Sequence, residues 1–384
     1  MKIMHTADWH LGLITEGLSR KDEQQRVLGE ICEIADKKEI DIVLICGDLF
    51  CGVNTPAYAD EFLANTLLRL SAGGKRAVVV IAGNNDATER FTATKQFGIA
   101  SNIFLLNDLG TDFDEENLPQ KYIRVCDKGR GFIIFEKGSE KVCVAFMPYP
   151  SNFFQNEKTK ENETLHQKTK RLFELAAGGF KPECFNIAAA HMFVPHGANT
   201  QDYYTEFFTE CLPKNAQYVA LGHVHDLIEV NEKTVYPGST IQVYDKENTS
   251  KYVVVLDIER NRLKAKEFVR LREPKKLVTV TGETSKELMK KLSGFENCLV
   301  KVQIKQEKIS ADEITDIKKA FPFIYSFVLI PKTKKSKLNI TGKDLSEEQL
   351  LSKFYETVYA KKPGGKIEKL FLEILKEGNK NEAE

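Results

Sequence analysis

A chain of 384 residues, 42% hydrophobic and 29% charged, has the composition of a soluble globular protein and enough apolar material for a large core and a second domain. Lys+Arg and Asp+Glu both number 55, which excludes a global positive field, so a grip on any polyanion must come from local patches or bound cations. The eight cysteines (Cys32, Cys46, Cys51, Cys126, Cys143, Cys184, Cys211, Cys298) form no Cys-x-x-Cys pair, and neither a leader pattern nor a run of membrane-spanning length is seen; free thiols, no membrane and a reduced, cytoplasmic setting are expected.

Lys2–Thr6 reads as a strand, followed by a helix with Val27, Leu28, Ile31, Ile34 and Ala35 on one face and a second strand at Ile42–Cys46. That alternation predicts an α/β fold. Tyr58, Phe62, Leu63, Leu67 and Leu70 then form an apolar stretch. Residues 78–82, 142–147, 187–190 and 219–221 continue the strand series, apolar at every position, as strands covered on both faces must be. A second unit is expected from about Arg272, where residues 277–280, 285–292, 299–304, 311–320 and 325–330 read as strand, helix, strand, helix, strand. After the basic stretch with Lys332, Lys334, Lys335 and Lys337, Ser346 and Gln349 form a capping-box pattern. Two apolar helical stripes follow, broken at Pro363-Gly364-Gly365; they either pack on the chain itself or dock on a partner. The expected division is 1–271, 272–335 and 336–384.

Residues of metal-ligand type follow the strand runs. Asp8 and His10 come after the first, Gly47-Asp48 after the second, Gly83-Asn84 after residues 78–82, His191 after residues 187–190, and Gly222-His223-Val224-His225 after residues 219–221. Each alone would usually be a turn or a hydrogen-bonded core histidine. Their joint occurrence, all at strand C-terminal ends where open α/β sheets place ligands, points to one shared site. Carboxylate, imidazole and amide donors without thiolates suit Mn²⁺ or a similar ion better than structural Zn²⁺. Two such ions would clamp a phosphate and activate water, which makes phosphoester hydrolysis the expected chemistry. His5 lies within the first strand and reads as a core group; His196 is a weaker candidate for substrate contact.

The order Asp8-x-His10, Gly47-Asp48, Gly83-Asn84, His191, Gly222-His223-x-His225 resembles the calcineurin-like metallophosphoesterases. The segments from His5 to Gly12, Gly47 to Phe50, Ala220 to His225 and Tyr236 to Ser239 further resemble the SbcD family, the bacterial form of the Mre-eleven DNA-repair nucleases. The resemblance implies a four-layer sandwich, a small α+β cap and C-terminal helices that bind an SbcC-like coiled-coil ATPase. It also implies one ion on Asp8, His10, Asp48 and His225, a second on Asp48, Asn84, His191 and His223, and two Mn²⁺ as cofactors, Mg²⁺ being the alternative. DNA ends or hairpins would be the substrate. A homodimer is implied as well, for which the stretch Tyr58 to Leu70 is one candidate; the same residues could simply cover the sheet.

Two positions depart from that pattern. Asn85 stands where the family has a catalytic histidine, and an amide cannot deliver a proton; losing such a group costs about 10²–10⁴ in rate. Cys51 stands where some relatives support the site with histidine or aspartate. Asn85 fits a substitution made to trap substrate, a natural subunit with weakened cleavage, or a member with another proton donor. The favoured reading is a DNA nuclease subunit with catalytic positions Asp48, His223 and Asn85, metals and DNA bound, and turnover impaired. A non-catalytic DNA-end scaffold and a phosphatase of small phosphoesters are the alternatives.

Overall fold

In the computed structural model the described residues are 1–87, 90, 98–110, 113, 118, 121–150, 157–194, 209–306 and 308–330, with isolated positions between 349 and 370. His196, Lys332, Lys334, Lys335, Lys337 and most of the C-terminal stripes lie outside them. Met1–Ile304 with Ser310–Val328 forms one compact unit, and Lys305–Ile309 with Leu329–Glu384 a second.

The first unit is built on two large sheets. One has six strands in the order Arg262–Arg270, Tyr252–Glu259, Lys2–Thr6, Ile42–Cys46, Ala77–Ile81, Ile103–Leu106, the last four mutually parallel. The other has seven, in the order Ile228–Asn231, Thr234–Tyr236, Tyr218–Gly222, Phe185–His191, Glu140–Met147, Phe132–Lys137, Arg124–Gly129, with its central four parallel. The apolar runs are therefore divided between two sheets rather than strung along one. Period-two alternation explains why they read as uniformly apolar. Ile3, Leu44, Val79 and Ile81 point into the core shared with Val144, Ile187, Ala189 and Tyr218 of the second sheet. Met4, Val43, Ile45, Val78 and Val80 point the other way, against Val27, Leu28, Ile31 and Leu67. Each such side chain, fully buried, contributes about 1.5–3 kcal/mol of apolar transfer.

The helices Lys21–Lys37 and Ala57–Ser71 cover the first sheet, and Leu165–Ala177 supplies Leu172, Phe173 and Ala176 beside the second, giving the α/β sandwich of helices, sheet, sheet, helix. Leu67 and Leu70 are buried in that covering layer, which removes them from any dimer surface; Tyr58, Phe62 and Leu63 remain half-buried. A small third sheet, in the order Lys276–Gly282, Cys298–Ile304, Ile324–Leu329, carries the helices Ser285–Leu292 and Ala311–Ala320. Ser310 and Glu313 cap the second of these helices reciprocally, and Thr284 caps the first.

The chain leading into the small sheet is pinned through its backbone. The buried Glu30 carboxylate accepts from Arg272 N (2.9 Å) and Glu273 N (3.0 Å), Glu23 Oε1 accepts from Lys275 N (2.7 Å), and Gln242 Oε1 accepts from Leu277 N (2.8 Å). The two large sheets are also cross-linked in their core. His5 is fully buried, with Nε2 donating to the Leu221 carbonyl (3.1 Å) and the Tyr218 hydroxyl 3.0 Å from Nδ1. Burial holds its imidazole neutral and lowers its pKa to about 3.

Glu30→Ala is expected to lower stability by about 1–3 kcal/mol, because two backbone N–H groups lose their acceptor, and to open residues 272–275 to protease. Thermal melting with limited proteolysis reads both effects. His5 binds a proton near pH 6.5 only when unfolded, so its contribution to stability is present above that pH and declines as pH falls from 6.5 towards 3. His5→Gln is expected to flatten the acid limb of stability against pH by up to about one proton, measured by denaturant unfolding across that range.

Candidate metal centre

The C-terminal ends of both sheets meet at one place, and the loops there are locked to each other before any ligand is considered. Asp8 N donates to Gly47 O (3.0 Å), His10 N to Asp48 O (3.0 Å) and Leu11 N to Leu49 O (2.7 Å), so the first two loops run as a pair. Asp8, His10, Asp48 and His223 all adopt positive φ (52°, 47°, 51° and 102°), a conformation uncommon for side-chain-bearing residues and concentrated at functional sites. Two glycines are required by close approach. A Cβ on Gly47 (φ 84°) would lie 2.1 Å from His191 Nδ1, and one on Gly222 would lie 1.7 Å from Cys46 O.

All the expected ligand residues come together. Asp8, His10 and His225 form one group and Asp8, Asp48 and His191 another, with ligand atoms inside each group within 4.8 Å of one another. Asp48 turns one oxygen to each side: Oδ2 is 3.9 Å from His10 Nε2, and Oδ1 is 3.5 Å from His191 Nε2. Asn84 Oδ1 sits 3.0 Å from His191 Nε2 and 2.9 Å from His223 Nδ1, while His10 Nε2 and His225 Nε2 face each other at 3.0 Å. His191 Nδ1 donates to Cys46 O (2.8 Å) and His225 Nδ1 to Glu247 Oε1 (2.8 Å), so in the neutral rings each Nε2 directs a lone pair into the centre.

The electrostatics suit a cation. Burial, then the neighbouring Asp48, drives the Asp8 carboxyl well above the usual range; burial raises Asp48 to about 6 against the opposing hydrogen bonds from Asn85. Burial also pushes His10 well below the usual imidazole range and lowers His191 and His223 to about 3, with the other histidines reinforcing each shift. The carboxylates are thus held where ionisation is costly and the imidazoles where they stay neutral. A divalent cation reverses the first penalty and exploits the second, because it needs ionised carboxylates and neutral imidazoles as ligands. The donor set fits such an ion, and it contains no thiolate. Cys51, half-buried nearby, has its thiol pKa raised by burial.

Asn85 lies beside this set. Its amide Nδ2 donates to Asp48 Oδ2 (2.6 Å) and its backbone N to Asp48 Oδ1 (2.9 Å). It also lines a cavity of about 380 Å³ with His10, Cys51, Tyr244, Lys301 and Tyr325, the last two from the small three-stranded sheet.

Sequence reasoning missed two groups that hold the ligands. Asp86 is buried, accepting Gly83 N at Oδ2 (2.8 Å) and Phe50 N at Oδ1 (3.1 Å), and so binds the Asn84 loop to the Asp48 loop. Its neighbourhood carries a signal, an Asp closing an Asn-Asn turn, that could have found it. Glu247, 22 residues from His225, carries none. Asp86→Ala is expected to cost about 1–3 kcal/mol, since both N–H groups lose their acceptor, and to weaken Mn²⁺ uptake while the chain stays folded. Thermal melting and Mn²⁺ titration of the variant against the unaltered chain check this.

The chain is similar to known proteins along most of its length. A family model described as calcineurin-like phosphoesterase matches residues 1–227. The Bacillus subtilis (strain 168) protein named as the D subunit of the nuclease SbcCD is 30% identical over 403 aligned positions, covering 97% of both chains. Its namesake in Staphylococcus saprophyticus is 24% identical over 99% of this chain and 100% of that one, and the one in Staphylococcus epidermidis 28% identical over 74% and 73%. The chain belongs to the calcineurin-like phosphoesterase family and is, within it, an SbcD-like metal-dependent nuclease.

Proposed function

We propose that this chain is the nuclease subunit of an SbcCD-type complex, hydrolysing DNA phosphodiesters at double-strand ends and hairpins with two Mn²⁺, Mg²⁺ being the alternative. The observation that carries the reading is the position of Asp48, with one carboxylate oxygen turned towards His10 and the other towards His191. Asp8, His10, Asp48 and His225 would hold one ion, and Asp48, Asn84, His191 and His223 the other. When bound, the pair supplies Lewis acidity toward a phosphodiester and its attacking water.

The protein's part is to hold and orient. The Cys46 carbonyl and the Glu247 carboxylate fix two of the imidazoles by their outer nitrogens, and Asp86 fixes the loop that presents Asn84. Asn85 faces the same cavity but its amide hydrogens are committed to no proton transfer: it donates a hydrogen bond to Asp48 and has no proton to release to a departing oxygen. Turnover is therefore impaired while metal and DNA binding persist. In this reading residues 1–271 form the nuclease domain, residues 272–335 cap the DNA site and residues 336–384 dock an SbcC-like ATPase. The complex would be a cytoplasmic homodimer of this subunit with its ATPase. Asn85 also favours a second reading, a DNA-end-binding scaffold that does not cleave.

Cleavage of duplex DNA with Mn²⁺ separates these readings. Asn85→His is expected to raise the rate by about 10²–10⁴, and EDTA to abolish it. Cleavage by the unaltered chain at a rate the histidine does not improve would overturn the impaired-nuclease reading. Binding of DNA ends without cleavage by either protein would establish the scaffold.

A further inference from the structure

Outside the ligand set, one charged cluster packs directly against a single ligand, His225. The Glu247 side chain is 8% exposed, and both its oxygens are saturated. Oε1 accepts from His225 Nδ1 (2.8 Å) and Tyr244 N (2.9 Å); Oε2 accepts from Lys251 Nζ (2.7 Å), Val243 N (3.1 Å) and Ser239 Oγ (3.4 Å). Lys251, 1% exposed, also donates to the His225 carbonyl (3.0 Å) and to Ser239 Oγ (2.9 Å). The pair thus grips His225 by its ring and by its main chain. Tyr244 stacks on the ring at 5.5 Å with an 8° interplanar angle.

The contrast with His191 is chemical. That ring is oriented by a neutral backbone carbonyl, that of Cys46, whereas His225 is oriented by a carboxylate. A carboxylate partner both fixes the ring and raises the basicity of the opposite nitrogen, and removing such a partner weakens metal affinity by about 10–100-fold.

Resting on the two-metal reading above, we infer that Glu247 is a positioning residue for His225 that selectively sets the affinity of the ion site formed with Asp8 and His10. The site containing Asn84, His191 and His223 does not depend on it. The two ions then differ in what tunes them, and the difference resides in one side chain outside the ligand set.

The test is Mn²⁺ titration of the full chain, read by calorimetry and by electron paramagnetic resonance. The unaltered chain is expected to show two sites; in Glu247→Gln one should weaken by about 10–100-fold and the other keep its affinity. Equal affinities in variant and parent, or equal loss at both sites, would overturn the inference. Should Glu247→Gln unfold because Lys251 is left buried without its partner, the double variant Glu247→Gln/Lys251→Met removes both charges. The same one-site loss is expected there, and two unchanged sites would overturn it. A parent chain that takes up no Mn²⁺ overturns the two-metal reading together with this inference; a two-site parent with an unmoved variant overturns this inference alone.

Discussion

The two large sheets touch at Cys46, and the centre depends on that contact. Its carbonyl oxygen accepts the His191 Nδ1 proton, and the same oxygen lies where a side chain on Gly222 would begin, so the strands Ile42–Cys46, Phe185–His191 and Tyr218–Gly222 close on one another with no room for a methyl group. Its thiol donates to Ala220 O across the same seam (3.6 Å). The seam brings the carboxylates of one sheet's loops against the histidines of the other's. Without it Asp48 and His191 would belong to separate surfaces.

That closeness has an electrostatic cost which the fold bears through its apolar core. Asp8, Asp48 and Asp86 repel one another in a buried setting, and the imidazoles beside them are too deeply buried to charge and offset them. Backbone N–H groups, at His223 for Asp8 and at Gly83 and Phe50 for Asp86, supply partial compensation. Asn85 adds two hydrogen bonds to Asp48, from its backbone and its amide. An amide at this position is therefore well accommodated by the ligand set, while being unable to do the acid work a histidine would do.

Much of the architecture was legible because burial leaves a mark on composition. Strands covered on both faces are largely apolar, so Ile42–Cys46 and the runs near residues 78–82, 187–190 and 219–221 stood out, with the mixed segment Lys2–Thr6 read beside them, and the ligand residues stood out by following them. The strands Arg124–Gly129 and Arg262–Arg270 were not legible. They sit at sheet edges, half-exposed or exposed along most of their length, and carry no such mark. The apolar stretch Tyr58 to Leu70 was legible, but it could not say whether Leu67 and Leu70 faced the sheet or a partner; packing of the helix Ala57–Ser71 against the sheet decided it.

By itself the sequence determined the chemistry on offer, since the identity of a donor atom is a covalent property: carboxylates, imidazoles and one amide, each placed after an apolar strand, with an amide again where a proton donor is expected. Only the tertiary structure decided which strands go to which of the two sheets, that Asp48 turns an oxygen to each side, and that Glu247 and Asp86 hold His225 and the Asn84 loop. The physical reason is that these are relations between segments far apart in the chain. Hydrogen bonds to a buried ring or loop are set by where the backbone passes, and any polar side chain of suitable reach can make them, so no local pattern announces which one will.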